Sequence, residues 1–583
     1  MTLSHATPSE PLPAHPTAPA APTGARVRPP REGRSNGQWL VDGTAPLNPN
    51  EEFKAADNGL NVRERIEQTY AHEGFASIPD DDLHGRMRWW GLYTQRKQGI
   101  DGGRTGTLSA DELSDEYFML RVRSDGGQLT LEQLRTIARI AVEFARDTAD
   151  VSDRQNIQLH WIRIEDVPEI WRRLEAVGLQ TTEACGDTPR VVLGSPVAGI
   201  AADEILDPTP QIRQIVETYI GDPDLANLPR KFKSALTGHP SLDVVHEIND
   251  ISLVGVRHPE LGPGYDLWVG GGLSTAPRLA ERLGVFVAPE QAAEVWYGVI
   301  RIFRDYGYRR LRNKARLKFL LAEWGPEKFR RVLQDDYLGY ALPDGPAAIA
   351  TTANPDHVGV HTQKDGRRYV GLAPRVGRLS GSRLLALADA AEAAGSGRIR
   401  LTPHQKLLVL DVDPARVDGL LAAAEALDLS ARPGSFRRNT MACTGIEYCK
   451  LAFVETKATA SAAAQALDNR LAGLGLDVPI TLNVNGCPNS CARIQTADIG
   501  LKGQIAKSPD GGDEFAFQVH LGGGLASAAR EEPGLGRTLR GLKVTAEDMP
   551  DYVERVVRRF AGERDADESF SAWVRRADEA ALR

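Results

Sequence analysis

At 583 residues the chain is too long for one compact core, so two to four domains are expected. Apolar (42%) and charged (25%) fractions are those of an ordinary globular protein, and no run of about 18 uncharged apolar residues suggests a membrane span. A net charge of −8 argues against a general nucleic-acid binder, and the lack of an apolar leader favours a cytoplasmic protein with reduced thiols.

Residues 1–40 are rich in Pro, Ala and charge and have almost no large apolar side chains before Trp39, a composition that predicts a disordered tail. Residues 41–111 follow as a segment expected to wrap the core. Its Arg86-Met-Arg-Trp-Trp-Gly-Leu-Tyr-Thr-Gln-Arg places two tryptophans side by side, so one of them should pack on another element or a cofactor rim.

From residue 117 the pattern turns to βαβ. Tyr117–Arg123 alternates like a strand, and Leu129–Asp147 carries a helical apolar stripe. Asn156–Ile162 reads as a strand and Val167–Val177 as a helix. The same order recurs with strand Arg368–Leu372, helix Ser382–Ala394, strands Arg398–Thr402 and Lys406–Leu410, and helix Pro414–Leu427. Local matches keep a near-constant offset: Gln155 with Gln405 at 250 residues, Ile251-Ser-Leu-Val-Gly with Ile499-Gly-Leu-Lys-Gly at 248, and Gly270-Gly-Gly-Leu with Gly522-Gly-Gly-Leu at 252. So long a period means a duplicated domain pair. The basic run Arg309–Phe319 is expected to be a helix with Arg309, Arg312 and Arg316 on one stripe; carboxylate binding and a solvated face stay equally open for it.

Four of the five cysteines fall within 49 residues, as Cys443-x5-Cys449 and Cys487-x3-Cys491. Four thiolates on two short loops suit an iron–sulfur cluster. The x5 gap counts against structural zinc, and a long chain poor in cysteine counts against disulfides, but zinc or ordinary buried thiols remain open. Gly445, Gly486 and Pro488 suit tight turns presenting N–H groups to an anionic cluster. Only the second copy holds these cysteines, so the site must be asymmetric in a pseudo-twofold frame.

Cys-Thr-Gly-Ile-Glu-Tyr-Cys-Lys-Leu-Ala and Asn-Gly-Cys-Pro-Asn-Ser-Cys-Ala-Arg resemble the cluster signature of the sirohaem sulfite and nitrite reductases. The resemblance extends over nearly all of the chain after residue 80 and is strongest to the actinobacterial, mycobacterial-type ferredoxin-dependent assimilatory enzymes. It implies a mixed α+β and α/β fold in two copies, each a ferredoxin-like half-domain followed by an α/β domain: 112–178 and 179–350, then 355–428 and 436–575. It implies sirohaem and a [4Fe–4S] cluster bound by Cys443, Cys449, Cys487 and Cys491, with Cys491 also the axial ligand of the sirohaem iron.

The same resemblance places Arg121, Arg190, Lys231 and Lys233 on the distal sirohaem face, where substrate binds. It gives Arg154 to the sirohaem carboxylates, and Gln155, Asn156 and His160 of the same motif are grouped with it. Arg309, Arg316, Arg400, Gln405 and Lys406 are further candidates for that cofactor. Taken singly, each cation would more often be a solvated surface charge. The chemistry needs them together, because sirohaem carries eight carboxylates and sulfite is a dianion. Reduction of sulfite to sulfide takes six electrons and sheds three oxygens as water, so protons must be relayed as well.

Lysine at 233 is the sulfite-type residue of Leu-Pro-Arg-Lys-Phe-Lys, where nitrite reductases resemble one another in carrying asparagine. No flavodoxin-like or Rossmann domain is left over, so electrons should come from a separate carrier, and the resemblance implies ferredoxin. The alternatives are a ferredoxin–nitrite reductase, a subunit fed by an NADPH-flavoprotein, or, in another class, a non-catalytic iron–sulfur or zinc-stabilised protein. A monomer without nucleic-acid or membrane partners is expected. In the mycobacterial-type enzymes a tyrosine and a cysteine beside the sirohaem join through a thioether, and the matching pair here is Tyr93 and Cys185.

Overall fold

The computed structural model describes residues 48–351, 355–508, 510–528, 530 and 533–583; the expected tail over 1–40 lies outside them. Four five-stranded sheets carry the molecule. In the first, the order is Leu92–Arg96, Ser114–Val122, Ile157–Ile162, Ala149–Val151 and Arg378–Leu379. In the second it is Gly359–Thr362, Arg368–Leu372, Leu407–Val412, Arg398–Leu401 and Gln128–Thr130.

Each of these sheets thus takes its last strand from the other copy. Arg378 pairs with Asp150, and Ile399 pairs with Leu129, both antiparallel. The helix Leu131–Phe144 begins at Thr130, whose hydroxyl accepts from Gln133 N–H while the Gln133 side chain answers Thr130 N–H. Its buried face, Leu134, Ile137, Ala138 and Ala141, meets the counterpart helix Gly381–Ala393 through Leu384, Leu387 and Ala388, so one core serves both halves.

The other two sheets are also counterparts. Pro189–Gly194, Phe232–Thr237 and Ile251–His258 run parallel, and Gly262–Val269 and Glu281–Val287 complete them antiparallel. Thr440–Ala442, Leu482–Asn485, Ile499–Lys507, Asp513–Leu521 and Arg537–Thr545 repeat that plan. The glycine motifs interlock across the two: Ala526 N–H donates to Glu247 Oε1 at 2.8 Å, and Gln495 donates to Ser274 O at 3.0 Å. No helix among the described residues is long and apolar enough to cross a membrane.

The segment Arg309–Phe319 is not the helix its sequence suggests. A helix ends at Tyr306, Arg312–Lys314 is one 3-10 turn, and the next helix starts at Leu317. Distant partners pull the arginines out of helical register. Arg309 donates to Glu51 (3.1 Å) and to Asn227 O (2.8 Å), and Arg312 grips Asp187 with both terminal nitrogens.

These contacts anchor the N-terminal segment. Lys54 is buried, donates to Leu228 O at 2.8 Å, and pairs with Glu51 at 2.6 Å and Asp187 at 3.4 Å. Burial alone would raise the Asp187 carboxyl, but Arg312 and Lys54 outweigh it and hold it well below the usual carboxylate range. Its stabilisation is therefore complete above the unfolded carboxylate pKa and is lost only as pH falls through that far lower value. Asp187→Ala strands Lys54 and Arg312 and should cost about 3–5 kcal/mol in denaturant unfolding. A loss below about 1 kcal/mol would show the network to be dispensable.

Candidate active site: a thiol quartet beneath a cationic pocket

The second copy builds the thiol site at the C-terminal ends of two parallel strands. Cys443 follows Thr440–Ala442, and Cys487 follows Leu482–Asn485. Gly445, at φ 73°, turns the first loop so tightly that a Cβ would lie 2.5 Å from Thr456 Oγ1. Gly486 N–H donates to Cys443 Sγ at 3.1 Å, and its carbonyl accepts from Phe453 N–H at 2.8 Å. Asn485 pins the second loop, donating to Cys487 O (2.6 Å) and accepting from Ala492 N–H (2.8 Å).

The four thiols face one another. Burial and the neighbouring Cys491 charge push Cys443 up to about 12 and raise Cys449 and Cys487, while backbone N–H groups work against the rise. Such mutual opposition is what a bound cation centre would relieve. A tetrahedral zinc site would hold its sulfurs about 3.8 Å apart, from Zn–S bonds of about 2.3 Å. Here no three of the four sulfurs lie within 4.8 Å of one another, so the quartet is not gathered at zinc spacing.

Above it lie the cations of the first copy. Lys233 feels the charges of Arg154, Asp153, Arg316 and Cys491, and burial, followed by Arg154, lowers it to about 7. Burial and then Lys233 hold Lys231 well below the ordinary lysine value. Among the described residues neither ammonium has a hydrogen-bond or ion-pair partner. Arg121 is held by Gln158, whose amide oxygen in the corrected orientation accepts from both terminal nitrogens at 2.5 and 3.1 Å, and Arg121 Nε is buried without a partner. Arg190 points back at its own loop, donating to Gly186 O at 2.7 and 2.9 Å. Arg154 donates to Asn249 Oδ1 and Val191 O, both at 2.7 Å, and burial lowers it to about 10. Arg316 is fixed bidentately on Asp250 at 2.8 and 3.0 Å, and Asp250 also accepts from Lys233 N–H at 2.8 Å.

Other expected cofactor residues are occupied by the chain itself. Gln155 donates to Gly194 O (2.8 Å) and Leu401 O (2.9 Å) and accepts from Gly194 N–H; Gln405 makes the matching pair with Ala442. Both are left-handed, at φ 55° and 57°, so their repeat is a clamp between half-domain and α/β domain. Asn156 accepts from Ser124 N–H at 3.4 Å. His160 stacks on Tyr448 at 3.8 Å, under the cluster loop and not toward the cations. Arg309 is spent on Glu51 and Asn227, Arg400 on Ala198 O (2.6 Å) and Pro196 O (3.2 Å), and Lys406 on His404 O (2.9 Å). Sequence reasoning missed Asp187, Asn249 and Asp250. For Asp250 a signal existed: it recurs as Asp498, which accepts from Thr481 N–H and Arg530 as Asp250 does from Lys233 N–H and Arg316.

Tyr93 and Cys185 share the pocket wall. Burial, then the Cys185 charge, raise the Tyr93 hydroxyl; Cys185 is fully buried, and its charge also acts on Arg121. Behind them Trp89 donates to Ala226 O at 2.7 Å and packs on Gly186, where a Cβ would lie 2.9 Å from the indole. Trp90 faces the core against Trp171 instead. Trp89 thus braces the loop that carries Cys185.

The nitrite and sulphite reductase 4Fe-4S domain matches residues 185–341 and 433–582, and the nitrite/sulfite reductase ferredoxin-like half domain matches 111–177 and 361–427. The chain belongs to the nitrite and sulphite reductase family. The sulfite reductase [ferredoxin] of Mycobacterium tuberculosis is 57% identical over 95% of this chain and 99% of its own length. The assimilatory ferredoxin-dependent nitrite reductase of Haloferax mediterranei is 37% identical over 90% of this chain and 91% of its own. The solved structure of the Mycobacterium tuberculosis NirA protein superposes with a TM-score of 0.92, at 57% identity, covering 94% of this chain and all of that one. In this family a [4Fe–4S] cluster and sirohaem are the cofactors, and the thiol spacing and unpaired cations fit both.

Proposed function

We propose that this chain is an assimilatory sulfite reductase that takes electrons from reduced ferredoxin in the cytoplasm. The observation that carries the reading is the pair of ammonium groups, Lys231 and Lys233, which have no acceptor among the described residues and of which Lys233 lies within the field of Cys491. Bound cofactors would pass on the donor's electrons and supply an iron atom for the substrate sulfur. Cys443, Cys449, Cys487 and Cys491 would hold the cluster, with Cys491 shared with the sirohaem iron. Arg154 would meet the sirohaem carboxylates, with Arg316 and Asn156 as further candidates for them.

The remaining chemistry belongs to the chain. Lys231, Lys233, Arg121 and Arg190 attract the dianion, orient its oxygens and deliver protons as each oxygen leaves as water. The depressed ammonium of Lys233, near 7, suits it to give up a proton at neutral pH. The relative from Haloferax mediterranei favours nitrite as a secondary substrate. Protein loaded with iron, sulfide and sirohaem should show Soret and red bands and form sulfide from sulfite with reduced ferredoxin. Loaded protein that shows the bands but prefers nitrite in kcat/KM would make it a nitrite reductase, and absence of the bands would overturn the reading.

We further propose that Tyr93 and Cys185 are joined by a thioether. Their proximity supports it, the Cys185 charge acting directly on the Tyr93 hydroxyl: a link would pin the segment around Tyr93 to the loop carrying Arg190. Formation removes one hydrogen from each residue, two electrons in all, which an oxidant such as dioxygen at the loaded metal centre must accept. Tryptic mass mapping after reduction should give the two peptides joined and lighter than their sum by two hydrogens. Two free peptides, with Cys185 fully alkylated, would refute the link.

A further inference from the structure

A line of rings leads from the thiol quartet to the surface and is used by nothing described so far. Tyr448 precedes Cys449, and its ring meets Trp161 edge-on at 5.7 Å. Trp161 meets Tyr117 edge-on at 5.4 Å. The guanidinium of Arg146 covers both, 4.1 Å from the Trp161 ring centre and 4.8 Å from that of Tyr117. Tyr448 is buried, Trp161 and Tyr117 are half-buried, and Arg146 is exposed.

The arrangement is built into the backbone. Trp161 has φ 65°, rare for a bulky residue, and its N–H is held by Gln95 Oε1 at 2.8 Å. The counterpart in the other copy, Asp411, has φ 56° and is held in the same way by Gln363 at 2.7 Å, so the bend belongs to the fold. Only the copy beside the cysteines puts a tryptophan there. Arg146 and Asp147 are both left-handed, at φ 49° and 58°, and Asp147 is locked by Ser382 N–H at 2.7 Å. Arg139 and Val142 lie one turn apart near the end of the helix Leu131–Phe144, just before Arg146; Val142 is 46% exposed, and neither arginine has a carboxylate partner among the described residues.

We propose that this patch, centred on Arg146, Trp161 and Tyr117, is where the electron donor docks, and that the donor is a small iron–sulfur protein with an acidic face. The inference rests on the reading of the chain as a reductase fed by such a carrier. Unpaired arginines around half-buried aromatic rings form the usual energetic centre of an interface and select an acidic partner. The rings then give a packed path to the cluster loop. One electron leaves the reduced centre of the donor and arrives at the cluster held by the cysteines; no bond or proton moves, and the rings remain uncharged.

The test uses the loaded enzyme with a plant-type [2Fe–2S] ferredoxin as probe, read by calorimetric Kd and by turnover. Arg146→Glu should raise Kd for ferredoxin about tenfold at low salt and little at high salt, since the lost term is an attraction between exposed charges. Trp161→Leu should slow ferredoxin-driven turnover several-fold. Both variants should keep wild-type sulfite reduction with reduced methyl viologen, a small donor that needs no docking. Lys97→Glu is the control; Lys97 lines a separate cavity of about 180 Å³ with Ile446, Glu447 and Phe515. If Lys97→Glu weakens ferredoxin binding and Arg146→Glu does not, the docking face lies there and the proposal falls. Wild-type protein inactive with methyl viologen would instead overturn the underlying reading of the chain as a reductase.

Discussion

Cys491→Ser is expected to abolish sulfite reduction, with the cluster lost and the sirohaem bands, where sirohaem is retained, shifted to those of an uncoupled centre. The three other cysteines sit in loops fixed by Gly486, Asn485 and Phe453, so the polypeptide should still fold. The fall should exceed the roughly 10–100-fold that loss of an outer-sphere partner costs, because a direct ligand is removed. Cys491 is the exposed member of the quartet, and its charge acts on all three of the others and on Lys233. That places it at the junction of the thiol site and the cationic pocket. Iron content, paramagnetic resonance and the visible spectrum measured on one preparation check the result. A Cys491→Ser protein with a native spectrum and full activity would rule out the shared-ligand role.

Lys233→Asn should lower kcat/KM for sulfite by about 100-fold or more, in line with the roughly 2.7–4 kcal/mol lost when one preorganised donor to a developing anion is removed. For nitrite, a monoanion, the loss should be nearer tenfold. Removing Lys233 leaves Lys231, Arg190 and Arg121 in place, and Asp250 still holds Arg316 at 2.8 Å, so the pocket should keep its shape. Lys233→Arg separates charge from reach, and recovery of the sulfite preference in that variant would assign the effect to charge. Equal losses for the two anions in Lys233→Asn would mean that Lys233 does not discriminate between them.

Local periodicity carried most of the fold. Strand Ile157–Ile162 and helix Val167–Ala176 fall within a residue of their expected ranges; the counterparts Leu407–Val412 and Val417–Ala426 depart by two and three residues, since Pro414–Arg416 is a 3-10 turn ahead of the helix. Those elements are short-range objects, set by apolar spacing and capping. The exchange of Gln128–Thr130 and Arg378–Leu379 between sheets was invisible, because strands of three and two residues leave no period to read. The basic run Arg309–Phe319 misled for the opposite reason. Its spacing is helical, but Glu51, Asn227 and Asp187 offer buried partners that a helix face could not reach. Gln155 and Gln405 show the limit of reading a repeat: the duplication preserved a clamp between domains, and the same signal would have marked a ligand. The cysteine spacing was legible because metal-site chemistry is local in sequence, whereas the pairing of Lys231 and Lys233 with Arg154 depends on the sheet order.

The strand exchange also bears on how the chain is made. During synthesis the strand Ala149–Val151 leaves the ribosome with one edge open, and the residues that cover it, Arg378–Leu379, come more than 200 positions later. At about 5–20 residues per second that edge waits on the order of 10–45 s with unpaired N–H and C=O groups. The counterpart gap is closed at once, since Gln128–Thr130 already exists when Arg398–Leu401 arrives. The nascent first half is therefore the aggregation-prone stage, and a fragment ending near residue 350 should need a chaperone to stay in solution, while the full-length chain should not.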